Sequence, residues 1–61
     1  MISLSTIERF LRHTGMAATR FGREAVRDPR LVHDMRRGRE LTDRTRRRVE
    51  HFMNKFQERA Q

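Results

Sequence analysis

No cysteine, tryptophan or tyrosine occurs among the 61 residues, and proline appears once. Without cysteine there are no disulfides, no thiolate metal ligands and no thiol nucleophile, a composition that fits a reducing compartment. The four phenylalanines are the only aromatic residues, and hydrophobic residues make up 34% of the chain. Such a chain must be held by one apolar seam or by self-association, because a domain this small buries only about 60% of its unfolded surface. Uninterrupted apolar runs are a few residues long, far short of the ~20 that cross a bilayer, and no basic segment followed by an apolar stretch opens the chain. The expectation is a protein neither secreted nor membrane-inserted, located in the cytoplasm with the nucleoid. Carboxylates are also scarce: 15 Lys and Arg face 8 Asp and Glu, giving a net charge of +7. A polyanion is the partner this charge favours, nucleic acid ahead of an anionic membrane surface.

Catalysis requires a shielded concave site, which 61 residues in short helices rarely enclose, so the reading is a binding protein and not an enzyme. His13, His33 and His51 lie far apart without ligand spacing, so neither a metal nor another cofactor is expected.

The sparse punctuation, Gly15, Gly22, Gly38 and Pro29, divides the chain. Ser5-Thr6-Ile7-Glu8 reads as a capping box that starts a first helix, over about 5–14, with Ile7, Phe10 and Leu11 inward and Gly15 as its left-handed end. A second helix over 17–26 places Ala18, Phe21, Gly22 and Ala25 on one side. Phe21 is the expected hub of the core, and Gly22 is explained by close approach of another helix. Asp28-Pro29 is an N-cap followed by a first-turn proline and predicts a third helix over 29–37, with Leu31, Val32 and Met35 inward and Gly38 closing it. Thr42 caps a fourth helix over 42–59, whose apolar stripe is Thr45, Val49, Phe52, Met53 and Phe56. The whole, 1–61, reads as a single all-α domain, a compact bundle of four short helices.

Charge is concentrated in the middle: residues 27–48 hold nine arginines and four carboxylates, net +5. Arg46, Arg47 and Arg48 point about 100° apart on a helix and do not form one patch. Arg44, Arg48 and Lys55 fall on one flank of the fourth helix, with Asp43 and Glu50 on the other. Asp43–Arg47 and Glu40–Arg44 are the ion pairs expected at i, i+4.

The stretch Met16-Ala17-Ala18-Thr19-Arg20-Phe21-Gly22-Arg23-Glu24-Ala25, continued by Pro29-Arg30-Leu31-Val32-His33-Asp34-Met35-Arg36-Arg37-Gly38, resembles the helix-turn-helix of phage-repressor-like regulators of the Cro/XRE type. In that family a small residue sits mid-helix where the recognition helix crosses, as Gly22 does; apolar residues seat the recognition helix, as Val32 and Met35 do; and a glycine ends it, as Gly38 does. The flanking helices match in order. The chain departs at the turn, where Val26-Arg27-Asp28-Pro29 replaces the usual glycine and apolar residue, a change expected to lengthen helix two. Ala17-Ala18 stand where the family has a glutamine, so that phosphate contact is not carried over.

The resemblance implies a lambda-repressor-like fold and sequence-specific binding of double-stranded DNA by a small bacterial or phage transcriptional regulator, with helix 29–37 in the major groove. Arg30, His33, Asp34 and Arg37 would face base edges, an arginine being suited to guanine. Asp34 would accept from cytosine, orient an arginine, or pair locally with Arg30 or Arg37. Arg20, Arg27, Arg39 and Arg44 would hold phosphates. A homodimer through helix 42–59, with Phe52 or Phe56 at the contact, would supply a second half-site. The alternatives are a protein-interaction adaptor for RNA polymerase or another regulator, and sequence-independent coating of nucleic acid.

Overall fold

Ser3, not Ser5, starts the first helix. Its backbone is extended, its hydroxyl accepts from the Thr6 amide at 3.4 Å, and its carbonyl accepts from the Ile7 amide at 3.1 Å. In the computed structural model, which describes residues 2–60 and their side chains through 57, helix α1 therefore spans Leu4–Thr14. The capping box at Ser5–Glu8 is corrected: both residues lie inside the helix. Starting at Ser3 brings Leu4 onto the core side with Ile7 and Leu11, and leaves the Glu8 carboxylate free to reach another helix. At the other end Gly15 takes φ 71° and its amide donates to the Leu11 carbonyl, the left-handed cap expected from the sequence.

Helix α2 spans Ala18–Val26 and ends in a left-handed residue that is not glycine: Arg27 has φ 59°. The Arg27 amide donates to the Arg23 carbonyl, the single bond of an αL ending, and the Asp28 amide reaches the Gly22 carbonyl. Helix two thus runs to Val26, in keeping with the missing turn glycine.

Asp28 caps the next segment, but with a tight turn before the helix proper. Its carboxylate accepts from the Arg30 amide at 3.0 Å and its carbonyl from the Leu31 amide at 3.1 Å. Helix α3 is therefore Leu31–Arg36, six residues instead of the nine expected from Pro29 to Arg37. The reason is the three-residue spacing of the Asp28–Leu31 bond, which makes Pro29 and Arg30 a turn. Gly38, at φ 108°, closes α3 through bonds from Gly38 to Met35 and from Arg39 to Asp34. Thr42 then caps α4, Asp43–Ala60, by accepting from the Thr45 amide at 3.2 Å.

The four helices share one core. Ile7, Phe21, Leu31, Val32 and Val49 are fully buried, with Phe10, Leu11, Met16, Ala25, Val26 and Met53 around them. Four phenylalanines bind α1, α2 and α4 together. The Phe10 ring lies 5.6 Å from Phe21, 6.4 Å from Phe52 and 5.5 Å from Phe56, and Phe21 lies 5.5 Å from Phe52, all edge to face. Such pairs add to what burial alone contributes. Phe21 is central as expected, and Phe10 shares that position. Phe52 and Phe56, expected at a dimer contact, are half-buried within the chain's own cluster.

Gly22 is buried where α2 meets the turn. A Cβ there would come within 2.2 Å of the Asp28 carbonyl oxygen and 3.0 Å of the Leu31 Cβ. The close approach anticipated for this glycine is thus made by the turn backbone together with the first residue of α3. Alanine normally improves a helix interior by up to ~1 kcal/mol over glycine. Here the opposite is expected: Gly22→Ala should destabilise the domain by about 1–3 kcal/mol, because the obstructing atom is backbone and cannot rotate away. At roughly 4–8 °C per kcal/mol for a domain of this size, thermal unfolding resolves the sign, and an unchanged or raised melting temperature would contradict this packing.

Candidate nucleic-acid interface

The basic surface begins with a division between arginines that meet a carboxylate and arginines that do not. Arg36, on α3, donates to both oxygens of Glu8 on α1, at 2.7 and 3.1 Å. No local signal in the residues announces this bridge, since its partners stand 28 positions apart. It ties the short α3 to α1, and Glu8 is available because Ser3 has taken over the helix start.

A second cluster lies over the α2–α3 turn. Arg39 donates to Asp28 at 2.7 Å and to Asp34 at 3.3 Å, so one guanidinium serves two carboxylates. The left-handed Gly38 sends the chain back toward α3, the Arg39 amide bonding the Asp34 carbonyl, and that reversal delivers the Arg39 side chain to both acids. Arg39, expected to hold a phosphate, is engaged within the protein instead. Asp34, expected to accept from cytosine, to orient an arginine, or to pair with Arg30 or Arg37, holds the Arg39 guanidinium. Arg20, another expected phosphate ligand, is paired with Glu24 one turn along α2.

At the start of α4, Asp43 pairs with Arg46 at 3.0 Å and not with Arg47. Arg46 can span both Asp43 and the Leu41 carbonyl, 3.5 Å away, from its place beside the first turn. Neither expected i, i+4 pair forms among the described residues, and Arg44 and Arg47 are exposed without an ionic partner there.

Of the expected site residues, Arg27, Arg30, His33 and Arg37 are exposed, and none enters an ion pair among the described residues. His33 is on the exposed side of α3, opposite the buried Leu31 and Val32, and Arg30 and Arg37 flank the helix at its two ends. Arg27 stands at the left-handed end of α2, beside the entry to the same turn. The structure therefore leaves these four exposed between the end of α2 and the end of α3, leaves Arg44 exposed on α4, and engages Arg20, Asp34 and Arg39 in ion pairs within the chain. Both carboxylates of the junction, Asp28 and Asp34, are covered by Arg39. No three of His, Asp and Glu gather into a metal site among the described residues, and no described helix is long and apolar enough to cross a membrane.

These pairs shift titration. Hydrogen bonds from Arg36 hold the Glu8 carboxyl below its ordinary 4.5, outweighing the opposing effect of desolvation, with the charges of Arg36 and Arg12 adding to the lowering. A hydrogen bond from Arg39, then one from the Arg30 amide, holds Asp28 below its ordinary 3.8. A carboxyl depressed in the folded state stabilises the fold above its unfolded pKa, and that contribution is lost as the pH falls through the folded value. Melting temperature should therefore hold steady above the ordinary carboxyl range and fall below it. Glu8→Gln should melt lower than the parent chain near neutrality, and the gap should narrow progressively as both are taken into acid below the ordinary carboxyl value. A gap that persists in acid would show that Glu8 acts through packing and not through its charge.

No family model matches this chain, and neither the curated proteins nor the solved structures contain a match to it.

Proposed function

We propose that the chain binds double-stranded DNA in a sequence-specific manner, as a small regulator of transcription, with α2, the turn and α3 acting as a helix-turn-helix. The observation that carries this reading is the run of uncompensated cations from the end of α2 to the end of α3: among the described residues Arg27, Arg30 and Arg37 are exposed and unpaired, while Arg39 covers Asp28 and Asp34. In this reading Arg30 and Arg37, at the two ends of α3, and His33 between them contact base edges. Because α3 has six residues, the reading surface includes the turn as much as the helix. Arg27 and Arg44 serve phosphates, and Asp34 acts as a support for Arg39.

The conformation of Arg27 adds weight. A non-glycine residue in the left-handed region costs roughly 1–2 kcal/mol, and residues held in such conformations cluster at functional sites. Glycine would end α2 at lower cost; arginine there is explained by a use for its side chain.

A second reading, a protein-interaction adaptor, is favoured by one feature: an open groove of about 530 Å³ between α1 and α4, floored by Phe10, Met53 and Phe56. Assembly of two copies through α4 would use the same rings at their outer edges.

Selection of duplexes from a random pool, followed by titration at several salt concentrations, tests the proposal. Arg30→Ala or Arg37→Ala should weaken the selected duplex by about 1–3 kcal/mol and relax the preference at one base position. Equal losses on selected and scrambled duplexes would make the binding sequence-independent, and a response flat in salt would sink the DNA reading. Arg27→Gly should move stability and binding in opposite directions: a higher melting temperature, by up to ~1 kcal/mol of relieved strain, and weaker binding to every duplex. Tighter or unchanged binding by this variant would remove Arg27 from the interface.

A further inference from the structure

Helix α4 carries a second basic surface that the α2–α3 junction does not include. At about 100° per residue, Arg44, Arg47, Arg48, His51 and Lys55 fall within an arc of about 100° on one face of that helix. All five are exposed, and none is in an ion pair among the described residues. Asp43 and Glu50 lie roughly 90–110° around the helix from the centre of that arc. The tract Arg46-Arg47-Arg48 is thus split in use: Arg46 turns to Asp43, while Arg47 and Arg48 join the exposed face.

Like charges three and four residues apart destabilise a helix, and here no carboxylate on the face relieves them. The face continues into a groove between α4 and α2, lined by Arg47, Arg48, His51 and Lys55 on one side. Its one carboxylate, Glu24, is already paired with Arg20.

The geometry points to this face as a track for the phosphate backbone of a nucleic-acid duplex, supplying affinity without reading sequence. From residue 44 to residue 55 the helix extends about 16 Å, at 1.5 Å per residue. That is the rise of roughly five base pairs, so four permanent cations are offered along a matching length of backbone. Arginine forks suit phosphate oxygens. A lipid surface fits less well, because the apolar residues of the same helix, Val49, Phe52, Met53 and Phe56, are packed in the core and leave no face to enter a bilayer.

The inference rests on the duplex-binding reading but concerns a different surface: α2 packs against both α3 and α4, and the two faces carry separate residues. The test compares the parent chain, a variant combining Arg44→Gln, Arg47→Gln, Arg48→Gln and Lys55→Gln, and a variant combining Arg30→Ala and Arg37→Ala. Each is titrated with the selected and the scrambled duplex at several salt concentrations, after its melting curve has shown it folded. Should the fourfold variant not fold, the pairs Arg44→Gln with Arg48→Gln and Arg47→Gln with Lys55→Gln take its place.

Loss of the α4 cations should reduce the slope of log K against log salt by about 0.9 for each phosphate contact removed, and by about 2 or more in all. Affinity should fall at least tenfold, by the same factor on both duplexes. Replacing the same three arginines with lysine should preserve most of the slope. A fourfold variant with the parent's slope and affinity overturns the inference, and with it the phosphate role of Arg44, while leaving the α3 reading intact. The reverse result, loss in the α4 variant and none in the Arg30/Arg37 variant, overturns the α3 reading and upholds the track. A parent chain that binds phosphatidylserine vesicles but no duplex overturns both.

Discussion

The approach of the Asp28 carbonyl to the bare α-carbon of Gly22 is the contact on which the rest of the architecture depends. With no side chain at position 22, the turn can lie directly on α2, and the Asp28 amide bonds the Gly22 carbonyl from that position. The same aspartate then caps the entry to α3 and anchors Arg39, so one residue joins the backbone of α2, the start of α3 and the loop that leaves it. A helix of six residues has too few internal bonds to be stable alone, and α3 is helical because tertiary contacts hold it. Leu31 and Val32 are fully buried beneath it, and Arg36 fastens its far end to Glu8.

Electrostatics in this chain is a matter of allocation. Among the described residues four arginines, Arg20, Arg36, Arg39 and Arg46, meet five carboxylates, and the geometry of those pairs decides which cations stay available. All five pairs are solvent-exposed, so their value lies in placing elements and masking acids more than in stability. The masking is directional: negative charge is covered at the α2–α3 junction, and at the head of α4 it is turned toward Arg46. The uncovered cations make a basic junction and a basic helix face, two surfaces with the character a phosphate backbone requires.

The apolar side of the molecule is equally economical. Four phenylalanines from three helices meet edge to face, and they supply the ring volume that a core of this size cannot gather from its aliphatic residues. Drawing Phe52 and Phe56 inward changes the character of α4. A helix that reads as an amphipathic candidate for self-association has its apolar stripe against α1 and α2, and its charged face is the part most open to a partner.

Much of this is legible in the residues themselves, wherever a single turn of chain decides the matter. Gly15 and Gly38 ending helices, Thr42 starting one, and Ile7, Phe10, Phe21, Leu31, Val32 and Val49 lying inward all follow from local backbone bonds and helical spacing. The all-helical class and the four elements follow from the same signals. Tertiary structure decided between competing local options. Ser3 and Ser5 are equally good caps, and the choice of Ser3 brings Leu4 to the core and frees Glu8 for Arg36. Asp28-Pro29 is a sound helix start, yet contact with Gly22 turns it into a tight turn and shortens α3. Above all, a flexible arginine has many carboxylates within reach along the sequence, and only the folded arrangement assigned Arg39 to Asp28 and Asp34, Arg46 to Asp43, and, among the described residues, none to Arg30 or Arg37. Ion-pair partners depend on where distant backbone segments come to rest, and that information is not local.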